Sequence, residues 1–264
     1  MSHQPGPMDL SDRTVIVTGA AQGIGLAISR QCCELGANVV LADYNKDALE
    51  QCAKDFPKDR TLAVCGNVAD EAFAPHCVEQ AMEKFGAIHG LVNNAGITRP
   101  ARLEKMTIAQ WQEVLNVNLT GCFLMMQAVG SHMLSRVQAE IPQPAGTTGS
   151  IVNISSTGAK RGSFGQANYS SAKAGLFGLT MTGAIEWAKF GIRCNSVGFG
   201  TVNTPMTEVL RSEKYAAQTL ARIPLGRYAE PHEAANMVAF LLSNAAVYIT
   251  GENMTVSGGL HMQP

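Results

Sequence analysis

The chain has 264 residues, 46% of them hydrophobic and 16% charged, against about 25% charged in an average globular protein, which excludes a disordered chain. Its 20 basic and 21 acidic residues leave no basic stripe able to track a phosphate backbone, so nucleic acid is not an expected partner. The seven cysteines show neither metal-ligand nor Cys-x-x-Cys spacing; no metal is expected, and a reduced, cytoplasmic chain fits them.

Residues 1–13 carry no basic start followed by an apolar core, and no later run approaches the roughly 18 apolar residues of a membrane span. They read as a flexible N-terminal segment, with 14–264 as a single domain. Short runs rich in Val, Ile and Leu then recur as expected strands: Thr14 to Thr18, Asn38 to Ala42, Thr61 to Val64, Ile88 to Asn93, Ser150 to Ile154, Ile192 to Val197 and Met254 to Val256. Helical stretches alternate with them, among them Gly23 to Leu35, Asp70 to Phe85 and Asn168 to Phe190. After Pro231, Ala234, Val238, Leu241 and Leu242 form an amphipathic stripe. Cys122, Met126, Val129 and Met133 form another, read as core or subunit contact. The stretch Ile141 to Gly149 reads as a surface loop, and Thr204 to Arg227, poor in core signals, as a substrate lid. The alternation predicts right-handed crossovers and a Rossmann-like, doubly wound α/β fold: a mostly parallel sheet with helices on both faces.

The first strand leads into Thr18-Gly19-Ala20-Ala21-Gln22-Gly23-Ile24-Gly25 and then directly into a helix. Glycines there let the backbone turn and approach a pyrophosphate, whose charge meets free N–H groups and the helix dipole. Asp43 ends the second strand, 24 residues beyond Gly19, close to the separation of about 20 for the acid that binds an adenosine ribose. A carboxylate accepts hydrogen bonds from ribose hydroxyls and repels a 2′-phosphate by up to roughly 4 kcal/mol at 4 Å. Neither Gln22 nor Tyr44 is a cation that would offset this, so NAD is expected over NADP.

Tyr169 and Lys173 are spaced i, i+4 at the start of a helical run, one turn apart on one face. Ser156 follows the strand from Ser150, and the carboxyl ends of strands are where open α/β sheets bind ligands. The three are expected to converge beside the nucleotide.

With these residues in view the chain resembles the short-chain dehydrogenase/reductase family. The resemblance runs through Thr18 to Gly25, Asn93-Asn94-Ala95-Gly96, Asn118 in Val117-Asn118-Leu119-Thr120-Gly121, Ser156, Tyr169-Ser170-Ser171-Ala172-Lys173 and Thr204-Pro205-Met206. It implies a catalytic tetrad of Asn118, Ser156, Tyr169 and Lys173. In it Tyr169 exchanges the proton, Ser156 bonds the reacting oxygen, Lys173 also binds ribose, and Asn118 holds a water. It implies cofactor contacts from Gly19, Gln22, Gly23, Ile24, Gly25, Asp43, Asn67, Val68, Asn93, Ala95, Gly96, Val202 and Thr204, besides Tyr169 and Lys173. A lysine cation about 4 to 6 Å from the phenol, helped by a positive nicotinamide, is expected to stabilise phenolate by about 3 to 4 kcal/mol and so lower its pKa.

Two positions depart from the family pattern. Phe199 stands where a proline is usual, which is expected to loosen the turn and to offer a ring to the substrate pocket. Asn67 stands where an aspartate is common. Arg99, Phe164, Gln166 and Phe199 are the positional candidates for substrate contact. The implied activity is hydride transfer between NAD(H) and a secondary alcohol or ketone in a homo-oligomer, dimer or tetramer. The segments Ile223 to Arg227 and Tyr248 to Gly251 are similar to 3-oxoacyl-[acyl-carrier-protein] reductases, making an NADPH-dependent enzyme of that kind the first alternative. A catalytically silent nucleotide sensor is the second.

Overall fold

The computed structural model describes residues 6–137, 142–144 and 146–262. Within them seven strands form one parallel sheet: β1 (Thr14–Thr18), β2 (Asn38–Asp43), β3 (Thr61–Cys65), β4 (Gly90–Asn93), β5 (Gly149–Ser156), β6 (Ile192–Phe199) and β7 (Asn253–Val256). They lie in the order β3-β2-β1-β4-β5-β6-β7. The winding reverses between β1 and β4, the place where strand ends splay to admit a ligand. β-Branched residues buried on both faces, such as Val15, Ile16 and Val17 of β1, suit a sheet covered on both sides.

Helices α1 (Gly23–Glu34), α2 (Lys46–Ala53), α3 (Phe73–Phe85), α4 (Ile108–Leu115) and α5 (Gly121–Ser135) precede β5. Helices α6 (Thr157–Arg161), α7 (Ala167–Trp187), α8 (Glu208–Arg211), α9 (Glu213–Leu220) and α10 (Pro231–Leu242) follow it. On one face Val15, Val17, Val39 and Leu41 meet Ile28 and Cys32 of α1, Leu49 of α2, and Val238 and Leu241 of α10. On the other, Ile16, Val40, Leu91 and Ile151 meet Cys77 of α3, Met125, Met126, Val129 and Met133 of α5, and Ala184 of α7. Each buried Val or Leu side chain contributes roughly 1.5 to 3 kcal/mol of transfer free energy. Local signals set the helix ends. Thr107 and Gln110 form a capping box before α4, Glu230 and Glu233 one before α10, and Gly86 takes the left-handed conformation that stops α3.

Several expectations need correction. The N-terminal segment expected to be flexible is tied down where it is described. Leu10 is fully buried among the α1 and α10 side chains, its N–H donates to Leu35 O, and the Ala245 N–H donates to Pro7 O. A lone leucine in a polar stretch gives no periodic signal, so pattern reading passed over it. Of the loop expected over 141–149, Ile141 and Ala145 lie outside the described residues. The stretch Ile108–Ser135 is a run of 28 helical residues apolar enough to cross a membrane by composition. Its apolar stripe, Val114, Cys122, Met125, Met126, Val129 and Met133, is buried, which makes it a core helix. The expected lid folds as a short 3-10 turn at Pro205–Thr207 followed by α8 and α9.

β5 and β6 run longer than their apolar residues indicate, because Ser155 and Ser156 pair with Gly198 and Phe199. Phe199 also pairs with Val256 of β7. The expected loosening is therefore not found: with an N–H and an extended backbone, Phe199 continues the strand where proline would end it.

Two histidines brace the end of the sheet where the central strands β1 and β4 begin. His89 Nδ1 accepts the Thr14 N–H at 3.1 Å, and His132 Nε2 accepts the Ile88 N–H at 3.2 Å. Burial, then Arg136, Arg13 and His132, hold His89 down to about 4; burial and Arg136 also lower His132. The unfolded chain takes up these protons near pH 6.5 and the folded chain resists, so stability present above pH 6.5 is lost as pH falls towards 4. His89→Gln is expected to remove a loss of about 2 kcal/mol between pH 7 and pH 5, read as the change in urea midpoint against wild type. Parallel pH dependence in the two proteins would contradict this account.

Candidate active site

A cleft of about 360 Å³ crosses the carboxyl ends of the strands, within the usual range for small-ligand sites of roughly 300 to 1,000 Å³. One end is walled by Gly19, Gln22, Gly23 and Ile24 with Asp43, Tyr44, Asn67 and Val68, and the other by Ser156, Tyr169, Lys173, Phe199 and Met206.

The nucleotide end is built from the turn between β1 and α1. Gly19 has φ +64, and a Cβ there would lie 2.9 Å from Ala95 Cα; a Cβ on Gly25 would lie 2.1 Å from Gly19 O. Glycine is required at both. Asn94 stitches the turn to β4: its Nδ2 donates to Thr18 O and Gly19 O, while Thr18 Oγ1 accepts the N–H groups of Asn94 and Ala95. No side chain caps α1 and its first turn holds no acid, so its amides and dipole face the cleft as an anion site. Asp43, buried at the end of β2, accepts the Ala21 N–H through Oδ2 and the Asn45 N–H through Oδ1, both at 3.0 Å. Each carboxylate oxygen keeps a second acceptor position. A glycine turn, an uncapped helix start and an acid beyond it fit a dinucleotide: Gly19 to Ile24 beside its phosphates, and Asp43, Asn67 and Val68 around its adenosine.

The reacting end is built from β5 and the first two turns of α7. Lys173 Nζ donates to Ile154 O at 2.7 Å, and Ser155 Oγ donates to Lys173 O at 2.9 Å, which clamps the helix to the strand. The ammonium lies 5.9 Å from the centre of the Tyr169 ring. Ser156 Oγ accepts the Gly158 N–H at 3.0 Å and lies close enough to Tyr169 to favour its ionised form. Burial pushes the Tyr169 phenol up despite Ser156, and burial lowers Lys173. The lowered phenol expected from the sequence, which counts a bound nicotinamide, is thus not found in the nucleotide-free protein. Desolvation opposes phenolate more than Ser156 favours it, and Lys173 spends its ammonium on Ile154 O.

Asn118 lies in a π-helical turn, Asn116–Thr120, between α4 and α5. It is fully buried, with Oδ1 accepting the Ile97 N–H and Nδ2 donating to Ile97 O. A Cβ on Gly96 would sit 3.5 Å from both Asn118 Oδ1 and Lys173 Nζ, which places the two close together. Asn118, Gly25 and Asn93 lie behind the cleft wall rather than on it. Asn93 Nδ2 bonds Asn153 Oδ1 and Cys122 O inside the core, so its part is to brace the sheet. Ala95, Gly96, Val202 and Thr204 line the cleft.

Of the substrate candidates, Arg99 and Phe199 line the cleft and Phe164 and Gln166 do not. Phe164 is 88% exposed with the Arg102 guanidinium 5.8 Å from its ring, and Gln166 bridges to Ala101. Both sit in the 162–166 turn, which faces outward after α6. Sequence reading missed Glu113 in the cleft wall, which no motif marks, and gave no role to Val117 and Met206, which also line it and lie within the quoted motifs. It also missed Asn168, whose position next to Tyr169 was the available signal.

Comparison with known proteins agrees with this geometry. A family model described as enoyl-(acyl carrier protein) reductase matches residues 19–261. The chain is 40% identical over 255 residues to a Thermotoga maritima protein named 3-oxoacyl-[acyl-carrier-protein] reductase FabG, covering 96% of this chain and 99% of the relative. It is 37% identical to the Vibrio cholerae protein of the same name, covering 97% and 100%. A Brucella melitensis crystal structure described as a short-chain dehydrogenase/reductase of the glucose/ribitol dehydrogenase kind superposes with a TM-score of 0.88 at 32% identity, covering 97% of this chain and 99% of that one. The chain belongs to the short-chain dehydrogenase/reductase family. It is an oxidoreductase that takes a nicotinamide dinucleotide and a small-molecule substrate.

The raised Tyr169 phenol has a spectroscopic consequence. The ultraviolet difference between wild type and Tyr169→Phe, titrated without nucleotide, is expected to show no phenolate below the ordinary tyrosine value of about 10. A phenolate increment near neutral pH would overturn the assignment.

Proposed function

We propose that the protein reduces the 3-keto group of an uncharged 3-oxoacyl thioester, with NADH as its reductant. The observation that carries this reading is the half-buried Tyr169 in the cleft wall beside Ser156 and Lys173, its phenol held above the ordinary tyrosine value by desolvation. A neutral phenol is a proton donor at neutral pH, the form that carbonyl reduction needs. The names of the Thermotoga and Vibrio relatives, over nearly the whole chain, support the substrate class, and the cleft's Ile97, Val117, Phe199 and Met206 suit an acyl chain.

A bound nicotinamide dinucleotide supplies the hydride that reaches the carbonyl carbon. Tyr169 passes its hydroxyl proton to the carbonyl oxygen, and Ser156 hydrogen-bonds the same oxygen as charge develops. Lys173, fixed by Ile154 O, keeps a positive charge beside the phenol to favour the phenolate left behind. Asn118 bridges Lys173 to solvent through a water and so returns the proton. Asp43 directs the nucleotide choice to NADH by offering ribose hydroxyls an acceptor and a 2′-phosphate a like charge. In this the reading departs from an NADPH enzyme, and from a silent sensor in keeping the Tyr169 and Lys173 pair. Oxidation of a secondary alcohol with NAD is a second reading, favoured by the glucose/ribitol dehydrogenase description of the Brucella structure. The free thiols support a cytoplasmic setting. Exposed Phe123 on α5 and Ile185 on α7 support a homo-oligomer.

With acetoacetyl-N-acetylcysteamine as substrate, Tyr169→Phe is expected to lower kcat at least about 100-fold while NADH affinity, read by fluorescence titration, stays within about threefold. Turnover retained in the variant would remove Tyr169 from its role. Wild type is expected to show kcat/KM at least about tenfold higher with NADH than with NADPH, equal to about 1.4 kcal/mol. Asp43→Asn, which keeps an acceptor and loses the charge, is expected to narrow that gap. A wild-type preference for NADPH would show that Asp43 does not face the ribose.

A further inference from the structure

At the substrate end of the cleft Arg99 and Glu113 face each other in a two-point ion pair. Arg99 Nε meets Glu113 Oε2 at 2.8 Å and Nη2 meets Oε1 at 2.6 Å, while Nη1 donates to Thr98 O at 2.9 Å. Every nitrogen of the guanidinium thus has an acceptor within the chain. Both side chains are half-exposed and both line the cleft.

A half-exposed pair of this kind is ordinarily worth little unless its geometry is held. Here it is held from below by Asn168, which is fully buried. Asn168 Nδ2 donates to Arg99 O, on the loop that carries one partner, and to Gln110 O, on the helix that carries the other, both at 3.0 Å. Its Oδ1 accepts the Tyr169 N–H at 2.8 Å. One buried amide therefore sets the positions of Arg99, Glu113 and Tyr169 relative to one another. Among the described residues the remaining formal charges on the cleft wall are Asp43, at the nucleotide end, and Lys173, which donates to Ile154 O. The same cleft wall carries Ile97, Val117 and Met206.

We propose that the Arg99–Glu113 pair is a charge filter that admits uncharged acyl groups to Tyr169 and rejects carboxylates. An entering carboxylate finds the two-point Nε/Nη2 face of the guanidinium already taken by Glu113, and meets Glu113 as a like charge. A neutral ester, thioester or amide meets neither cost and gains the apolar wall. The inference deepens the carbonyl-reductase reading and rests on it for what enters, while the selectivity itself is a binding property that does not need turnover.

The test compares wild type, Glu113→Gln and Arg99→Gln, each first checked for an unaltered fold by circular dichroism. Calorimetry in the presence of NAD measures the affinities of hexanoate and hexanamide. Kinetics measures kcat/KM on ethyl acetoacetate against acetoacetate and on ethyl levulinate against levulinate. Wild type is expected to bind the amide at least tenfold more tightly than the acid. Glu113→Gln frees Arg99 and is expected to shift the acid-to-amide and acid-to-ester ratios at least tenfold towards the acid; Arg99→Gln shifts them the other way. Ratios that stay within threefold of wild type in both variants, or no measurable binding of either ligand, overturn the filter. Selective binding without turnover of any ketone sinks the reductase reading alone, and turnover with unmoved ratios sinks the filter alone.

Discussion

The ammonium of Lys173 is buried with a main-chain carbonyl for a partner and no carboxylate among the bonds it makes. Such a cation costs stability, since its desolvation is repaid only in part by one hydrogen bond. The rest of the site is arranged around that cost. β5 runs on past the end of its neighbour β4, where Ile154 O accepts from Lys173, and Ser155 Oγ ties the α7 backbone to the same strand. The i, i+4 spacing then fixes Tyr169 above the cation. In the proposed function, proton transfer at Tyr169 is the use to which the buried charge is put.

The nucleotide end follows a different rule, in which backbone geometry rather than side-chain charge does the holding. Gly19 and Gly25 let β1, β4 and the start of α1 approach within contact distance. Asn94 and Thr18 supply the bonds that keep the turn in place. Asp43 has two tasks: it fastens Ala21 and Asn45 through the amides it accepts, and it presents charge where a ribose is expected.

Much of this was legible from residue order. Val/Ile/Leu runs announced the strands because a sheet covered on both faces needs apolar residues in unbroken sequence, and the glycine turn announced the nucleotide end because few other residues can adopt its backbone. Tyr169, Lys173 and Ser156 were marked by spacing. What stayed hidden is what depends on long-range pairing. The strand ends at Ser156 and Phe199 are polar or irregular in sequence and are strands because they pair with each other. The burial of Leu10 depends on α1 and α10 meeting. Phe164, an aromatic residue beside the site in sequence, turns outward, while Glu113, on a helix with no motif, turns in. The phenol's pKa direction was also hidden, because spacing locates Lys173 without revealing that its ammonium donates to Ile154 O.

The central claim, that Lys173 is buried for chemistry at the expense of stability, is tested most directly by the Lys173→Met protein, with kcat and melting temperature measured side by side. The account predicts that replacing the ammonium with an apolar chain of similar length lowers kcat at least about 100-fold while the melting temperature holds or rises. Substantial turnover retained together with a lower melting temperature would contradict it, showing the cation to be a structural support and not part of the reacting machinery.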